Sequence, residues 1–324
     1  MKEMFLSWLT PQMENMIAYK QALGYSENTY RPYCKNLDRY CLKHFPKAGC
    51  LTKELVLGWM ERRPEEAPST LHGRAGFIRG FGRYLASVGE EAYILPDKFV
   101  GGKSTFIPYI FTDDELATLF REIDKAESSC AALQPLLIST IFRLIYTCGL
   151  RPNEGRCLPR SHVNLKTGEI LIAETKRNKE RIVVMSDDML ALAKSYALIR
   201  DAAYPDSEWF FPAANGSSDS AAWLQKKFKG FFAAANHGTE PAIFPAVRVY
   251  DLRHRFASTA LNRWLDEKKN LYSRLPYLRT YMGHKKLSAT AYYIHLLPEN
   301  LAKSAGIDWD SMRGMLPEVE LWVE

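Results

Sequence analysis

Paired cysteines, acidic clusters, membrane-length apolar runs and internal repeats are all missing from this chain. Its six cysteines, at positions 34, 41, 50, 130, 148 and 157, show no CxxC spacing. A chain of 324 residues has no need of disulfide staples, so they read as reduced thiols of an intracellular protein. No acidic cluster is placed to hold a metal, and neither a metal nor any other cofactor is expected. The most apolar stretch, PLLISTIFRLIYTCGL at 135–150, is shorter than a bilayer span and carries Arg143, which makes it a buried helix and argues against a membrane partner. The opening MKEMFLSWLTPQMENM has acidic residues within its apolar stretch and no small-residue cleavage site, so it does not read as a signal peptide. No internal repeat and no low-complexity tract is found either.

What is present is ordinary for a soluble globular protein: 47% hydrophobic and 25% charged residues, in a chain long enough for two domains. Lys and Arg number 43 against 37 acidic residues, a net charge of +6. That mild excess is compatible with a nucleic-acid partner, although many enzymes are equally basic.

Helical periodicity runs from Ser26 through SENTYRPYCKNLDRYCLKHF, with Ser26 as the expected cap and apolar or aromatic residues at 30, 33, 37, 40 and 41. Further helices are expected in KELVLGWMERR after Thr52 and in LHGRAGFIRGFGRYLASVG. In the last of these, Phe77, Ile78, Phe81, Tyr84 and Leu85 share one side while Arg74, Arg79 and Arg83 lie largely elsewhere. Residues 1–90 therefore read as an all-helical unit whose basic positions are either a DNA-facing surface or a solvated face. Residues 91–110, rich in Pro, Gly, Ser and Lys, read as a linker. Thr112 and Glu115 then form a capping box, with Phe111 and Leu116 as its hydrophobic staple. Pro135 and Gly149 bracket a core helix. EILIAE and RIVVM, on either side of TKRNKE, read as a β-hairpin. Helical signals return through QKKFKGFFAAANH, YDLRHRFASTALNRWL and SRLPYLRTYM. The expected fold class is mainly α (α+β), an all-helical N-terminal domain plus a mostly helical second domain with a small antiparallel sheet.

Four short stretches carry candidate chemistry, and each has a plain structural reading beside it. CGLRPNEGRCL places Arg151 at a helix end and Glu154 in the first turn of the next helix, which could be no more than an ion pair. The hairpin tip KRNKER carries Lys176, Arg177, Lys179 and Arg181, either a solvated turn or a probe for a phosphate backbone. In YDLRHRFAST, Tyr250, Arg253 and His254 can share a helix face. MGHKKLSATAYYIHL follows a helix ended by Gly283 with His284, then Ser288 as an expected cap, and then the pair Tyr292 and Tyr293, with Tyr293 five residues into a helix.

Several cations and a phenol without an acidic cluster suit a metal-free phosphoryl transfer. Two guanidiniums can bind phosphate oxygens bidentately and offset the charge building on a pentavalent phosphorane. A tyrosine oxygen can attack phosphorus and hold a broken strand as an ester. At pH 7 a phenol of pKa about 10 is ionised roughly one part in a thousand, so its activation is worth about 4 kcal/mol.

GLRPNE, ETKRNKERIVV, YDLRH and MGHKKLSATAYYIHL, in this order, resemble the four signature blocks of the tyrosine recombinase (phage integrase) family over roughly residues 108–300. The spacing of nine from Gly-His to Tyr is the most specific part. The resemblance implies Arg151 and Arg253 as phosphate-binding arginines and Tyr293 as nucleophile, with Tyr292 left to packing. It implies Lys176 as the hairpin lysine that protonates the leaving 5′ oxygen, with Lys179 as rival. Glu154 would buttress the arginines, His284 would hydrogen-bond the scissile phosphate, and His254 would support from behind. The family most often has His or Lys where this chain has Tyr250. A hydroxyl can donate the same hydrogen bond without carrying the charge, so a changed pH profile is expected.

The domain plan that follows is 1–90 as a helical (SAM-like) core-binding domain, 91–110 as linker, 111–300 as catalytic domain and 301–324 as a tail able to dock on a neighbour. The function implied is site-specific recombination of double-stranded DNA through a 3′-phosphotyrosyl intermediate, by a homo-oligomer, a tetramer on two sites, in the cytoplasm at the nucleoid. Accessory DNA-bending proteins are further candidate partners. The alternatives are a type IB topoisomerase-like strand transferase and a non-catalytic DNA-binding protein.

Overall fold

The computed structural model describes residues 5–100, 108–128, 133–173, 180–238 and 244–296. The chain divides into two compact units, Met1–Ile107 and Pro108–Glu324.

The first unit holds α1 (Thr10–Ala22), α2 (Arg31–His44), α3 (Lys53–Met60) and α4 (Pro68–Ser87). Thr52 caps α3 by accepting the Leu55 N–H at 3.2 Å, as its sequence position indicates. Ser26 behaves differently from expectation: it accepts the Asn28 N–H and starts a 3-10 turn, Glu27–Thr29, and α2 begins only at Arg31. Pro32 explains the restart, because a residue without an N–H is favoured in a helix's first turn and disfavoured further in. The face α2 buries is Cys34, Leu37, Asp38 and Cys41, with Tyr30, Tyr33 and Tyr40 only partly covered. From α4, Phe77, Ile78, Phe81 and Leu85 enter the same core.

Arg74 departs from the expected basic surface. It is buried, donates to both Glu66 oxygens at 2.7 and 2.8 Å, and lies over the Trp59 ring. Residues after α4 pack on this unit as well: Leu95 is buried, and Arg79 grips the carbonyls of Leu95, Pro96 and Asp97.

In the second unit the Thr112–Glu115 capping box forms in both directions, at 2.7 and 3.2 Å, with Phe111 and Leu116 buried behind it. It opens α5 (Asp113–Ser128), followed by α6 (Leu133–Thr147) and the short α7 (Pro152–Arg156). The apolar run is the buried α6, and Arg143 is accommodated by Asp124 at 2.7 Å and by the Phe120 ring. α6 begins two residues before Pro135, so the proline sits inside the first turn rather than at its start. Among the described residues no helix is long and apolar enough to cross a membrane.

The expected hairpin is β1 (Glu169–Ile172) paired antiparallel with β2 (Arg181–Val184), Ile170 facing Val183 and Ile172 facing Arg181. Alternation turns Val183 and Arg181 inward and leaves Ile182 and Val184 exposed. Four larger elements complete the unit: α8 (Asp187–Ala203), α9 (Ala221–Ala235), α10 (Val249–Asp266) and α11 (Leu271–Tyr281). Phe111, Phe142, Phe228 and Phe232 meet edge to face in its core. After α11 come α12 (Ser288–Ala291) and a 3-10 turn, Tyr292–Leu296.

Candidate active site

Two glycine corners organise the site, and they are built alike. Gly149 ends α6 at φ +60° and Gly283 ends α11 at φ +62°, a conformation that L side chains resist. Each corner closes with a bond from the following residue back into the helix, Leu150 N–H to Ile145 O at 3.1 Å and His284 N–H to Arg279 O at 2.9 Å. That is the Schellman arrangement, and it turns the chain sharply out of the helix. Each glycine then offers its own carbonyl to an arginine of the site. Arg253 Nη1 donates to Gly149 O, and Arg151 Nη2 donates to Gly283 O at 2.8 Å. A side chain is disfavoured at both corners: a Cβ on Gly149 would strike the Phe256 ring, and one on Gly283 would crowd the Arg181 guanidinium at 3.1 Å.

Glu154 sits between the arginines. Its carboxylate accepts from Arg151 Nη1 at 2.6 Å and from the Arg151 backbone N–H at 2.8 Å. It also receives both terminal nitrogens of Arg181, at 3.0 and 2.6 Å, while Arg253 stands at 4.0 Å. Burial alone would push this carboxyl up, but the Arg181 hydrogen bonds and charge prevail with help from Arg151, holding it down at about 2. Arg181 is fixed in turn by donating to the Tyr281 carbonyl at 2.8 Å. Composition and motif reading passed over Arg181 as one more cation of the hairpin tip. Its phase with buried Val183 in β2 was the available signal, hidden because Ile182 and Val184, also apolar, point outward.

Arg253 is fully buried on α10. Besides Gly149 it reaches the Met282 carbonyl and His284 Nε2, the latter at 3.2 Å, and its Nε has no hydrogen-bond partner. Burial, and then the neighbouring Arg151 charge, lower its pKa from the ordinary arginine value. A guanidinium only donates, so His284 Nε2 is an acceptor and its Nδ1 carries the hydrogen, donated to Thr290 Oγ1 at 2.9 Å. Burial first, and then the charges of Arg253, Arg151 and Arg181, hold His284 down at about 3. Tyr250 lies half-buried, its oxygen hydrogen-bonded to Arg151.

Tyr293 is 2% exposed and Tyr292 is 41% exposed, so the two neighbouring rings divide into one facing the arginines and one facing outward. Tyr293 stands in the 3-10 turn rather than five residues into a helix, because α12 ends after four residues. Ser288 is the first residue of α12 and not its cap; Leu287 holds that place with no side-chain bond. The Tyr293 ring lies parallel to that of His284 with centroids 6.1 Å apart and is tilted against that of His254 at 5.4 Å. Its hydroxyl lies 3.0 Å from His254 Nδ1. His254 therefore touches the phenol itself, which corrects the expectation that it supports from behind. Burial raises the phenol to about 12 against the opposing pull of Arg253. The hydroxyl is consequently protonated, and it donates to the imidazole when His254 carries its hydrogen on Nε2.

Arg151, Glu154, Tyr250, Arg253, His284 and Tyr293 thus converge on one site, joined by His254 and Arg181. Lys176 and its rival Lys179 lie outside the described residues, as does the segment 301–324. Among the described residues no group of three or more His, Cys, Asp or Glu side chains could hold a metal ion.

The chain resembles known proteins over most of its length. Residues 110–300 match the phage integrase family. The chain is 31% identical over 317 residues to the y4rE protein of Sinorhizobium fredii, described as an integrase/recombinase, covering 93% of this chain and 96% of the relative. It is 26% identical to the tyrosine recombinase XerD of Brucella melitensis, covering 90% of this chain and 94% of XerD. Among solved structures, the XerH site-specific recombinase bound to its palindromic difH substrate shares the fold with a TM-score of 0.64 at 22% identity, over 88% of this chain and 80% of XerH. The Tn1549 transposon integrase in complex with transposon right-end DNA does so with 0.63 at 13% identity, over 94% and 97%.

Proposed function

This chain belongs to the phage integrase family and is a tyrosine site-specific recombinase, and from that premise we propose that Tyr293 is its nucleophile and that Arg151, Arg253 and His284 receive the scissile phosphate of double-stranded DNA. The observation that carries the reading is the surplus of positive charge. Three guanidiniums, those of Arg151, Arg181 and Arg253, surround the single carboxylate of Glu154. A buried excess of cations is stabilised by an anion, and a phosphodiester in the Arg151–Arg253 gap supplies one.

In the reaction the Tyr293 oxygen forms an ester with phosphorus while the bond to the 5′ oxygen breaks. One phosphate ester replaces another, so no nucleotide is consumed. Arg151 and Arg253 stabilise the equatorial oxygens of the transition state, and Glu154 with Arg181 keeps Arg151 in place. His284 carries its hydrogen on Nδ1, facing Thr290. A bound phosphate would favour proton uptake at Nε2 and turn that nitrogen into a donor. Tyr250 accepts from Arg151 and so has its own O–H free for the phosphate, a role it performs without charge. Lys176 is assigned the proton to the leaving 5′ oxygen on sequence position alone.

Exchange between two duplexes breaks four strands, and each chain carries one nucleophile, which supports a tetramer on two sites. Accessory DNA-bending proteins and a cytoplasmic, nucleoid-bound location fit the same reading. The test is a nicked suicide duplex bearing the recombination site. Wild type becomes covalently attached to the 3′ side and Tyr293→Phe does not; attachment in the Phe variant would refute Tyr293. Relaxation of supercoils without strand exchange would favour the topoisomerase alternative.

A further inference from the structure

We propose that His254 is a further catalytic residue, the proton acceptor for Tyr293 as its oxygen attacks phosphorus. The inference rests on Tyr293 being the nucleophile. His254 Nδ1 is 3.0 Å from the Tyr293 hydroxyl, a hydrogen-bond distance at which a general base can act. His254 directly follows Arg253 on α10, and the turn of about 100° per residue sends Arg253 towards Gly149 and Met282 and His254 towards the 3-10 turn. One helix thus delivers both a phosphate ligand and a base.

The other groups at hand are unsuited. His284 has Nε2 occupied by Arg253 and Nδ1 by Thr290, and its ring stacks on Tyr293 with an interplanar angle of 17°, so neither nitrogen is directed at the hydroxyl. Tyr250 is itself a phenol and its oxygen is engaged by Arg151.

The titratable and charged groups around His254 are Arg248 at the start of α10, Tyr250 and Arg253 within it, Tyr293 from the 3-10 turn, and His284 from the loop after α11. Burial first, and then Arg248 and Arg253, press its pKa down to about 4, so the ring is uncharged, and in the tautomer with its hydrogen on Nε2 the Nδ1 lone pair faces the phenol. A neutral ring of such low basicity is a poor base for a phenol held at about 12, and the substrate corrects the mismatch. A phosphodiester anion between Arg151 and Arg253 offsets the Arg253 charge, one of the causes of the low His254 pKa beside burial and Arg248, and raises the basicity of the ring when the reacting phosphorus is in place.

The step balances. The phenol proton moves to Nδ1, the Oη–P bond forms and the P–O5′ bond breaks. The 5′ oxygen takes its proton from the hairpin acid assigned to Lys176. In religation the 5′ hydroxyl attacks, Oη leaves, and the imidazolium returns the proton to it.

The test is single-turnover cleavage by the full chain, with His254→Ala and His254→Asn, on two suicide duplexes: one with the ordinary 5′ oxygen and one with a bridging 5′ sulfur, which leaves without an acid. Anisotropy of the labelled duplex reports binding. Both variants should bind within about twofold of wild type and cleave about 100-fold or more slowly near neutral pH. The defect should persist with sulfur, because the nucleophile is still un-ionised, and shrink as pH rises towards the phenol's own ionisation. Asn retains an acceptor atom but takes up no proton, so an Asn variant cutting at the wild-type rate overturns the proposal, as does a defect that vanishes on sulfur. If the Ala variant no longer binds the duplex, the Asn variant decides. Wild type forming no adduct at Tyr293 on either duplex would instead sink the recombinase mechanism, a result distinct from any behaviour of the His254 variants.

Discussion

Arg74 with Glu66 in the first unit, and Arg151, Arg181 and Arg253 with Glu154 in the second, are made of the same two groups in different proportions. In the first unit the match is one to one: both side chains are 3% exposed, and the remaining guanidinium bonds go to the Trp59 and Glu61 carbonyls. In the second, one carboxylate serves three guanidiniums, and backbone carbonyls of Gly149, Met282 and Gly283 take up the remaining donors. Carbonyls satisfy hydrogen bonds but do not neutralise charge. The one-to-one pair is balanced in charge, although Arg74 Nε lacks a hydrogen-bond partner, and reads as structure; the three-to-one cluster retains net positive charge in a buried place and reads as a receptor for an anion.

Variants that separate the two assemblies give the largest effects. Glu66→Ala leaves Arg74 buried without a counter-charge and should lower unfolding stability by about 3–5 kcal/mol, measured by urea titration. Arg253→Ala should slow cleavage on the order of 1,000-fold, about 4 kcal/mol, with stability unchanged or improved because a buried cation is gone. If Arg253→Ala instead lowered stability as Glu66→Ala does and left cleavage intact, the distinction between the assemblies would fail.

Arg151→Lys comes next. The ammonium keeps the charge but cannot bond Glu154, Gly283 and a phosphate oxygen in the fixed planar geometry of a guanidinium. Single-turnover cleavage should fall on the order of 100-fold, about 3 kcal/mol; near-normal cleavage would show that charge alone suffices.

The smallest effect concerns acid. Glu154, held at about 2, is depressed below the ordinary carboxylate value. Its contribution is therefore fully present above about pH 4.5, diminishes as pH falls, and is lost as pH passes through about 2. It should amount to about 2–3 kcal/mol after allowance for screening. Glu66 is also depressed, by the Arg74 hydrogen bonds against the effect of burial. Glu154→Gln should flatten the acid limb of the stability curve, and an unchanged limb would show that the Arg181 bonds do not hold the carboxylate ionised.

Much of this was legible beforehand. The Thr112 box, the hairpin, the glycine helix ends and the site residues Arg151, Glu154, Tyr250, Arg253, His284 and Tyr293 all follow local rules or motif order. Less was legible where distant residues decide. Arg74 looked like one more basic surface position until Glu66 folded onto it. Arg181 was hidden by a strand whose outward side chains, Ile182 and Val184, are apolar. The helix assumed around Tyr293 proved to be a 3-10 turn, and His254 proved to touch the phenol.

The order of residues alone was enough for most of the helices, the hairpin, the two glycine helix ends and the chemical repertoire, because caps, turns and periodicity act over a few residues along the chain. Which arginine is neutralised and which is left in excess, and which nitrogen meets the Tyr293 hydroxyl, were settled by folding. Arg151 meets Gly283 across 132 positions, Arg253 meets Gly149 across 104, and His254 meets Tyr293 across 39. Electrostatic interactions depend on separation and burial in space, and neither is written in a local stretch of residues.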